Sequence, residues 1–267
     1  MQNTMEKQPS LDWIIGIATR AGKLLKDGYG KVHQIDYKGV IDLVTETDRK
    51  SEEFILNEIR TSFPDDAIIA EENGEFSGSS QRIWYIDPLD GTVNYAHGIP
   101  IFSVSIAYSC NGVLQKGVVY DPMRDECFSA VRGGSAKLND RTLHVSKAMS
   151  LKESLLVTGF PYDIWKGVET NLENFAMFAV RTQGVRRLGS AALDLCYVAA
   201  GRFDGYWEIK LKPWDLAAGA LIVEEAGGLI TDIRGGDAYL QPPNSLIAAN
   251  PVIHAEMLRL LEEQQVR

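Results

Sequence analysis

Apolar positions near the start of the chain recur at helical spacing. Leu11, Ile14, Ile15, Ala18, Ala21 and Leu25 fall on one face of a 3.6-residue period, and Gly28 ends the pattern as a C-terminal glycine does. A second helical stretch begins near Thr47 and runs to about Ser62, with Phe54, Ile55 and Ile59 on its apolar face. Between them lies a polar, glycine-punctuated segment, 28–42, that reads as a mobile loop. Apolar runs then replace the helical period. Residues 67–70 and 83–86 read as strands. Residues 102–110 and 113–120 are strand-like and joined by Asn111-Gly112, a strong hairpin signal. Residues 127–131 and 136–138 follow across Gly133-Gly134. This pattern predicts two helices on an antiparallel sheet.

From about Arg141 the texture changes. Short strands at 155–158, 205–209, 229–232 and 246–248 alternate with helical stretches at 169–181, 191–200, 216–226 and 252–264. Alternation of this kind predicts an α/β layer. We therefore expect an α+β half over residues 1–140 and an α/β half over residues 141–267. No linker rich in Pro or Ser separates them, so an extensive shared interface is expected.

Composition narrows the function classes. Hydrophobic content of 45% and charged content of 24% are those of a globular protein, and 267 residues suffice for a large core. A net charge of −9 without a dense Lys/Arg cluster argues against nucleic-acid binding. Cys110, Cys127 and Cys196 are odd in number and far apart, with neither zinc spacing nor a disulfide framework. The polar start, residues 1–10, lacks an apolar signal core, and no run approaches the roughly 20 apolar residues of a membrane span. The expectation is a cytoplasmic protein with no membrane partner.

The chemistry concentrates in Asp87-Pro88-Leu89-Asp90-Gly91-Thr92, directly after the apolar run 83–86. Two carboxylates three apart stand in a Pro/Gly turn at a strand end, where Gly91 permits a close ligand and Thr92 would cap a short following helix. Acids beside free backbone N–H groups suit a divalent cation held against a phosphate. An ordinary Asp-Pro turn, with its acids bonded to their own backbone, is the competing reading. Glu71-Glu72 ends the preceding strand in the same way, unless these acids are simply solvated. Asp215, after Pro213-Trp214, reads as the N-cap of an apolar helix with one oxygen left for a metal. Asp48 either complements the second helix N-terminus or orients a water through the Thr92 hydroxyl. Were Glu71, Asp87, Asp90 and Asp215 to converge, pairs about 4 Å apart would repel by roughly 4 kcal/mol at an effective dielectric of 20. An oxygen-only donor set favours Mg²⁺, with Mn²⁺ or Ca²⁺ as substitutes, and with only His97 near the motif it argues against zinc.

Together these residues resemble the inositol monophosphatase family of Mg²⁺-dependent, lithium-sensitive phosphatases. The resemblance rests on Glu71-Glu72, the stretch 84–100 (WYIDPLDGTVNYAHGIP), the stretch 212–228 (KPWDLAAGALIVEEAGG) and the upstream block 42–48 (DLVTETD), and it runs nearly end to end. It implies a layered α/β/α/β/α sandwich, a homodimer, and two to three Mg²⁺ ions. Glu71, Asp87 and the Leu89 carbonyl would hold the first ion, and Asp87, Asp90 and Asp215 the second. Backbone N–H groups of Gly91 and Thr92 would bind the phosphate. Thr92 with Asp48, or Glu71, would activate water. Gly189-Ser190-Ala191 and Glu208, with Asp90 and Asp215, would contact the hydroxyls of a small phosphorylated polyol or sugar. Residue-type preference alone makes Ser190 a helix N-cap and Glu208 a solvated strand charge.

Lys38 resembles the family's loop lysine, in a loop one residue shorter here. Arg186 and Arg187 read as surface or interface charges rather than contacts to a second phosphate or a carboxylate. The resemblance favours hydrolysis of myo-inositol 1-phosphate. The same metal motif would also serve fructose 1,6-bisphosphate, histidinol phosphate, NADP or 3′,5′-bisphosphoadenosine, since it reads only the phosphate. A binding partner in a regulatory complex, retaining the fold, is the reading of a different class.

Overall fold

The computed structural model describes residues 8–31, 35–37, 43–167 and 169–265; Lys38 and Asp42 lie outside them. The expected first helix is α1 (Leu11–Gly28), opened by Ser10, whose hydroxyl accepts the Trp13 N–H at 3.2 Å. The second is α2 (Glu46–Ser62). Between them β1 (Ile35–Tyr37) and β2 (Leu43–Thr45) pair antiparallel.

Eight strands follow: β3 (Ala67–Ala70), β4 (Gly74–Phe76), β5 (Arg82–Asp90), β6 (Ser103–Cys110), β7 (Val113–Asp121), β8 (Glu126–Val131), β9 (Lys137–Leu138) and β10 (Arg141–Thr142). They form one sheet in the order β10-β9-β8-β7-β6-β5-β3-β4. The Asn111-Gly112 turn joins β6 to β7 with both residues at positive φ, as a type I′ turn requires. One departure from the antiparallel expectation is that β3 runs parallel to β5. A short helix, α3 (Thr92–Ala96), follows β5.

The rest of the chain contains β11 (Leu155–Thr158), α4 (Leu172–Ala179), β12 (Gly184–Arg186), α5 (Ala191–Ala199), β13 (Gly205–Glu208), α6 (Pro213–Glu225), β14 (Leu229–Thr231), β15 (Leu246–Ala249) and α7 (Pro251–Gln265). Its five strands order as β12-β11-β13-β15-β14, parallel about β11 and antiparallel about β15. α4 starts later than expected because Glu169 and Asn171 adopt positive φ, which a right-handed helix cannot accommodate.

Three cores bind five layers. α1 and α2 pack Ile14, Ile17, Leu25, Ile55 and Ile59 against one face of the large sheet. α5 and α6 fill the space between the two sheets. α7 and the end of α4 cover the outer face of the small sheet through Phe178, Ile253 and Met257. The sequence of α6 explains its central place: residues 216–223 are buried without exception, so it is apolar all round, as a helix between two sheets must be. The result is an α/β/α/β/α sandwich. No described helix is long and apolar enough to cross a membrane.

Trp84 on β5 anchors the first core. It is fully buried, packs against Trp13, Phe63 and Tyr108 at centroid distances of 5.9, 5.7 and 5.0 Å, and donates its indole N–H to Asp66 at 3.0 Å. Replacing Trp84 with Ala should therefore destabilise the protein by about 3–5 kcal/mol in urea unfolding. A loss under about 1 kcal/mol would contradict this packing role.

Candidate active site

The Asp87–Thr92 segment is a bulge in a strand rather than a turn beyond one. β5 pairs Asp87 with Ser105 and Asp90 with Ser103 on β6, so three steps on one strand oppose two on the other. Pro88, which has no N–H to offer a ladder, sits in that irregularity. The Leu89 N–H bonds back to Asp87 Oδ1 at 3.0 Å, so the local-turn reading of this acid holds for one of its oxygens. Gly91 has φ of 97°, and a Cβ there would lie 2.9 Å from the Ile101 carbonyl oxygen, so only glycine fits. Gly91, not Thr92, is the N-cap of α3. The Thr92 side chain is free for another task. Its hydroxyl lies 3.0 Å from the Leu89 carbonyl and 3.2 Å from Asp48 Oδ1, two acceptors that compete for its one proton.

Asp48 is the first of three buried polar residues, with Ser51 and Glu52, on one face of α2. The Ser51 hydroxyl donates to the Pro88 carbonyl at 3.0 Å. Glu52 accepts the Glu72 and Asn73 N–H groups, each at 2.8 Å, and the Asn73 amide at 2.6 Å. Helix α2 thus holds both acidic turns, the one after β3 and the one within β5. Ser51 and Glu52 escaped the sequence reading. Their signal is the i, i+3, i+4 spacing from Asp48, which places them on the buried side of the helix.

Asp90 reaches across to the second sheet's helices. Its carboxylate receives the Ser190 hydroxyl at 2.5 Å and the Ala191 and Ala192 N–H groups at 3.2 and 2.8 Å. It therefore sits on the N-terminus of α5, where the helix dipole favours an anion. Ser190 is the expected N-cap, accepting the Leu193 N–H at 3.4 Å. The hydroxyl and N–H groups expected to meet substrate at Ser190 and Ala191 are thus engaged by Asp90, although both residues line the same cavity. Asn94 on α3 fastens the junction, donating to the Ile101 and Leu188 carbonyls at 2.9 and 2.8 Å.

Asp215 is not an N-cap. Lys212 holds that position, and Asp215, at the third helical residue of α6, accepts the Lys212 N–H at 2.8 Å. Asp215 also lines the cleft. Glu208, read from residue type as a solvated charge, is buried and accepts the Tyr206 hydroxyl at 2.6 Å. Gly159 makes room for it: a Cβ there would fall within 2.4 Å of three Glu208 carboxyl atoms.

These residues line one cleft of about 200 Å³, which contains Glu71, Asp87, Leu89, Asp90, Gly91 and Thr92 on one side. Gly189, Ser190, Ala191, Glu208 and Asp215 complete the wall, and Arg187 lines it too, although it is exposed as a surface charge should be. The electrostatics follow from crowding. Burial lifts the Asp87 carboxyl well above the carboxylate range, and the charges of Glu71, Asp90 and Asp215 lift it further. Burial raises Asp215 as well, with Glu71 and Asp90 adding to it. Asp90 is pushed up to about 6 by burial, held back by Ser190 and the α5 N–H groups. Glu208 is pushed up to about 7 by burial, against the Tyr206 bond and the Arg187 charge.

Glu71, Asp87, Asp90 and Asp215 share one wall of the cleft. Among the described residues no group of three or more His, Cys, Asp or Glu side chains is drawn together tightly enough to hold a metal as it stands. The donor chemistry nevertheless suits a hard divalent cation: the lining offers carboxylates and a carbonyl and no cysteine or histidine.

The Glu52 contacts generate a prediction. Glu52→Ala removes the acceptor for three donors in a partly buried turn and should cost about 1–3 kcal/mol in chemical unfolding, with Glu52→Gln less damaging because it keeps one acceptor. Both variants melting like the parent would remove Glu52 from the support of this turn.

Comparison with known proteins agrees with this geometry. A family model described as the inositol monophosphatase family matches residues 6–266. A Pasteurella multocida protein named Nus factor SuhB is 48% identical over 260 residues, covering 95% of this chain and 96% of its own. An inositol-1-monophosphatase of Mesorhizobium japonicum is 41% identical over 263 residues, covering 97% and 98%. The solved inositol monophosphatase of Anabaena (Nostoc) sp. superposes with a TM-score of 0.86 at 42% identity, covering 95% of each chain. With a family model spanning nearly the whole sequence and the same layered fold around the acidic cleft, the chain belongs to the inositol monophosphatase family.

Proposed function

We propose that this protein is a Mg²⁺-dependent phosphomonoesterase whose preferred substrate is myo-inositol 1-phosphate or a similar small polyol phosphate. The observation that carries the reading is a single cleft that joins four acids, Glu71, Asp87, Asp90 and Asp215, to the Gly91-Thr92 backbone and to the Thr92–Asp48 pair. Glu71, Asp87, the Leu89 carbonyl, Asp90 and Asp215 would hold two to three Mg²⁺ ions, with Mn²⁺ as a substitute. When bound, such ions neutralise phosphoryl charge and make water more acidic.

The chain's own residues supply the remainder. Backbone N–H groups of Gly91 and Thr92 receive the phosphate oxygens. The Thr92 hydroxyl, kept between the Leu89 carbonyl and Asp48, orients the attacking water. Asp48, fully buried behind it, or Glu71, takes up the proton. Attack is in line with the departing alcohol, and no side chain is phosphorylated. Glu208 accepts a hydroxyl of the alcohol moiety. The reading extends to a homodimer in the cytoplasm.

A second reading has its own support: the 48% identical Pasteurella multocida relative is named a Nus factor. In this reading the chain acts as a partner in a regulatory complex, with or without turnover. Thermal stabilisation separates the two. An enzyme site should be stabilised by Mg²⁺ and phosphate together, whereas a vestigial one should show little response.

Phosphate release from inositol 1-phosphate, fructose 1,6-bisphosphate, histidinol phosphate, NADP⁺ and 3′,5′-bisphosphoadenosine, with Mg²⁺ or EDTA, tests the reaction and its substrate. We expect release from inositol 1-phosphate to dominate, to vanish with EDTA and to be inhibited by millimolar Li⁺. Release that persists in EDTA would sink the metal-dependent mechanism. Thr92→Ala should lower kcat by roughly a hundredfold while changing KM less, because water orientation acts in the transition state. Asp90→Asn should abolish most turnover in a folded protein; unchanged turnover would remove Asp90 from the chemistry.

A further inference from the structure

Asp194 stands in the first turn of α5 and lines the cleft with Glu208, Gly159 and Arg187. It is 1% exposed, and its Oδ1 has no hydrogen-bond partner. That sets it apart from the acids around it. Asp87 receives the Leu89 N–H, Asp90 receives three donors from the start of α5, Asp215 receives the Lys212 N–H, and Glu208 receives the Tyr206 hydroxyl.

An acid in the first turn of a helix is ordinarily explained by the dipole. Here the dipole's donors are already taken: Ala191 and Ala192 N–H serve Asp90, and Leu193 N–H serves Ser190. A buried carboxyl oxygen with no donor is costly, and natural proteins retain one where something else completes it. Tyr206, whose hydroxyl would be an obvious donor, gives it to Glu208 instead. Burial and the nearby Glu208 and Asp90 charges all disfavour a bare Asp194 carboxylate, and only the Arg187 charge opposes them. The cleft thus presents two buried carboxyl groups, Asp194 and Glu208, with the Glu208 carboxyl packed against Gly159 where a Cβ would otherwise stand.

We propose that Asp194 is a specificity-determining residue that accepts a hydrogen bond from a hydroxyl of the alcohol moiety, alongside Glu208. The substrate class is then phosphomonoesters of polyhydroxylated carriers, with at least two hydroxyls able to donate at once. This inference rests on the phosphomonoesterase reading. A substrate without that hydroxyl leaves Asp194 unpaired, and a site built to bond a hydroxyl discriminates strongly against analogues that lack it.

The test compares inositol 1-phosphate with p-nitrophenyl phosphate, which carries no hydroxyl, in the wild type, Asp194→Asn and Asp194→Ala. Circular dichroism melting verifies each fold. For each protein the ratio of kcat/KM on the two substrates is taken, along with the KM on inositol 1-phosphate. We expect the ratio to fall roughly tenfold or more in Asp194→Ala, chiefly through a raised KM, and less in Asp194→Asn, which keeps one acceptor. A ratio preserved in the folded Ala variant overturns the proposal, whether both activities fall equally or neither moves; should Ala not fold, Asp194→Leu, of similar shape and with no acceptor, is read in its place. Thermal stabilisation by inositol 1-phosphate with Mg²⁺ supplies a second readout: it should shrink in Asp194→Ala relative to the wild type, and an equal shift in both proteins counts against Asp194. Failure of the underlying reading looks different. There the wild type itself shows neither Mg²⁺-dependent release from p-nitrophenyl phosphate nor stabilisation, and the proposal falls with it.

Discussion

The contact on which this architecture turns is the carboxylate of Asp90 seated on the N-terminus of α5. It joins the last residue of a strand in the large sheet to the first turn of a helix that belongs to the small sheet's side. Burying an acid is costly unless donors surround it, and three donors converge here. The same solution recurs around the cleft. Asp87 closes its own bulge, Asp215 receives the N–H of Lys212, the N-cap of α6, and Glu52 receives the turn after β3. Each acid uses part of its acceptor capacity on backbone that must be held in any case. That arrangement lets a negatively charged cleft exist in a stable fold.

The helices that do this holding are themselves positioned by apolar packing. α5 and α6 lie between two sheets, so their N-termini cannot drift without opening a core shared by both. α2 contributes from the opposite side, its apolar face fixed on the large sheet while Asp48, Ser51 and Glu52 point polar groups to the two acidic turns. The cleft therefore forms where helix starts from one layer meet strand ends from another. Strong charge is tolerated there because rigid elements, not loops, determine its spacing.

Several roles read from residue type changed once neighbours were known. Glu208 is a buried carboxyl rather than a solvated one, because β11 and β13 run side by side and place Gly159 opposite it. Ser190 caps a helix and also binds Asp90, so its hydroxyl cannot be counted as free for substrate. Asp215 moved from N-cap to third helical residue because Pro213 occupies the first position, its preferred place in a helix. Thr92 gave up the cap to Gly91, since only glycine fits the backbone conformation and the close approach of Ile101. Arg187 combines solvent exposure with a place in the cleft wall, where its charge opposes the raised pKa values of Glu208 and Asp194.

Much of this was legible in the chain alone. Helical period located α1 and α2, apolar runs located the long strands, and Asn111-Gly112 located the hairpin, because these features depend on residues near one another in sequence. Asp87, Asp90 and Asp215 were legible as candidates as well, since each stands near Pro or Gly in a stretch whose residue types are chemically restrictive. Short elements such as β4 and β12 were not, because three residues carry no period and exist only through their partners. Nor was Asp194 as part of the cleft, or Glu52 as the support of the turn after β3. An acid on a helix looks the same in sequence whether water, backbone donors or a cavity surrounds it. Which of these it meets depends on contacts between residues far apart in the chain, such as the hundred positions between Asp90 and Ser190, and only the packed layers decide them.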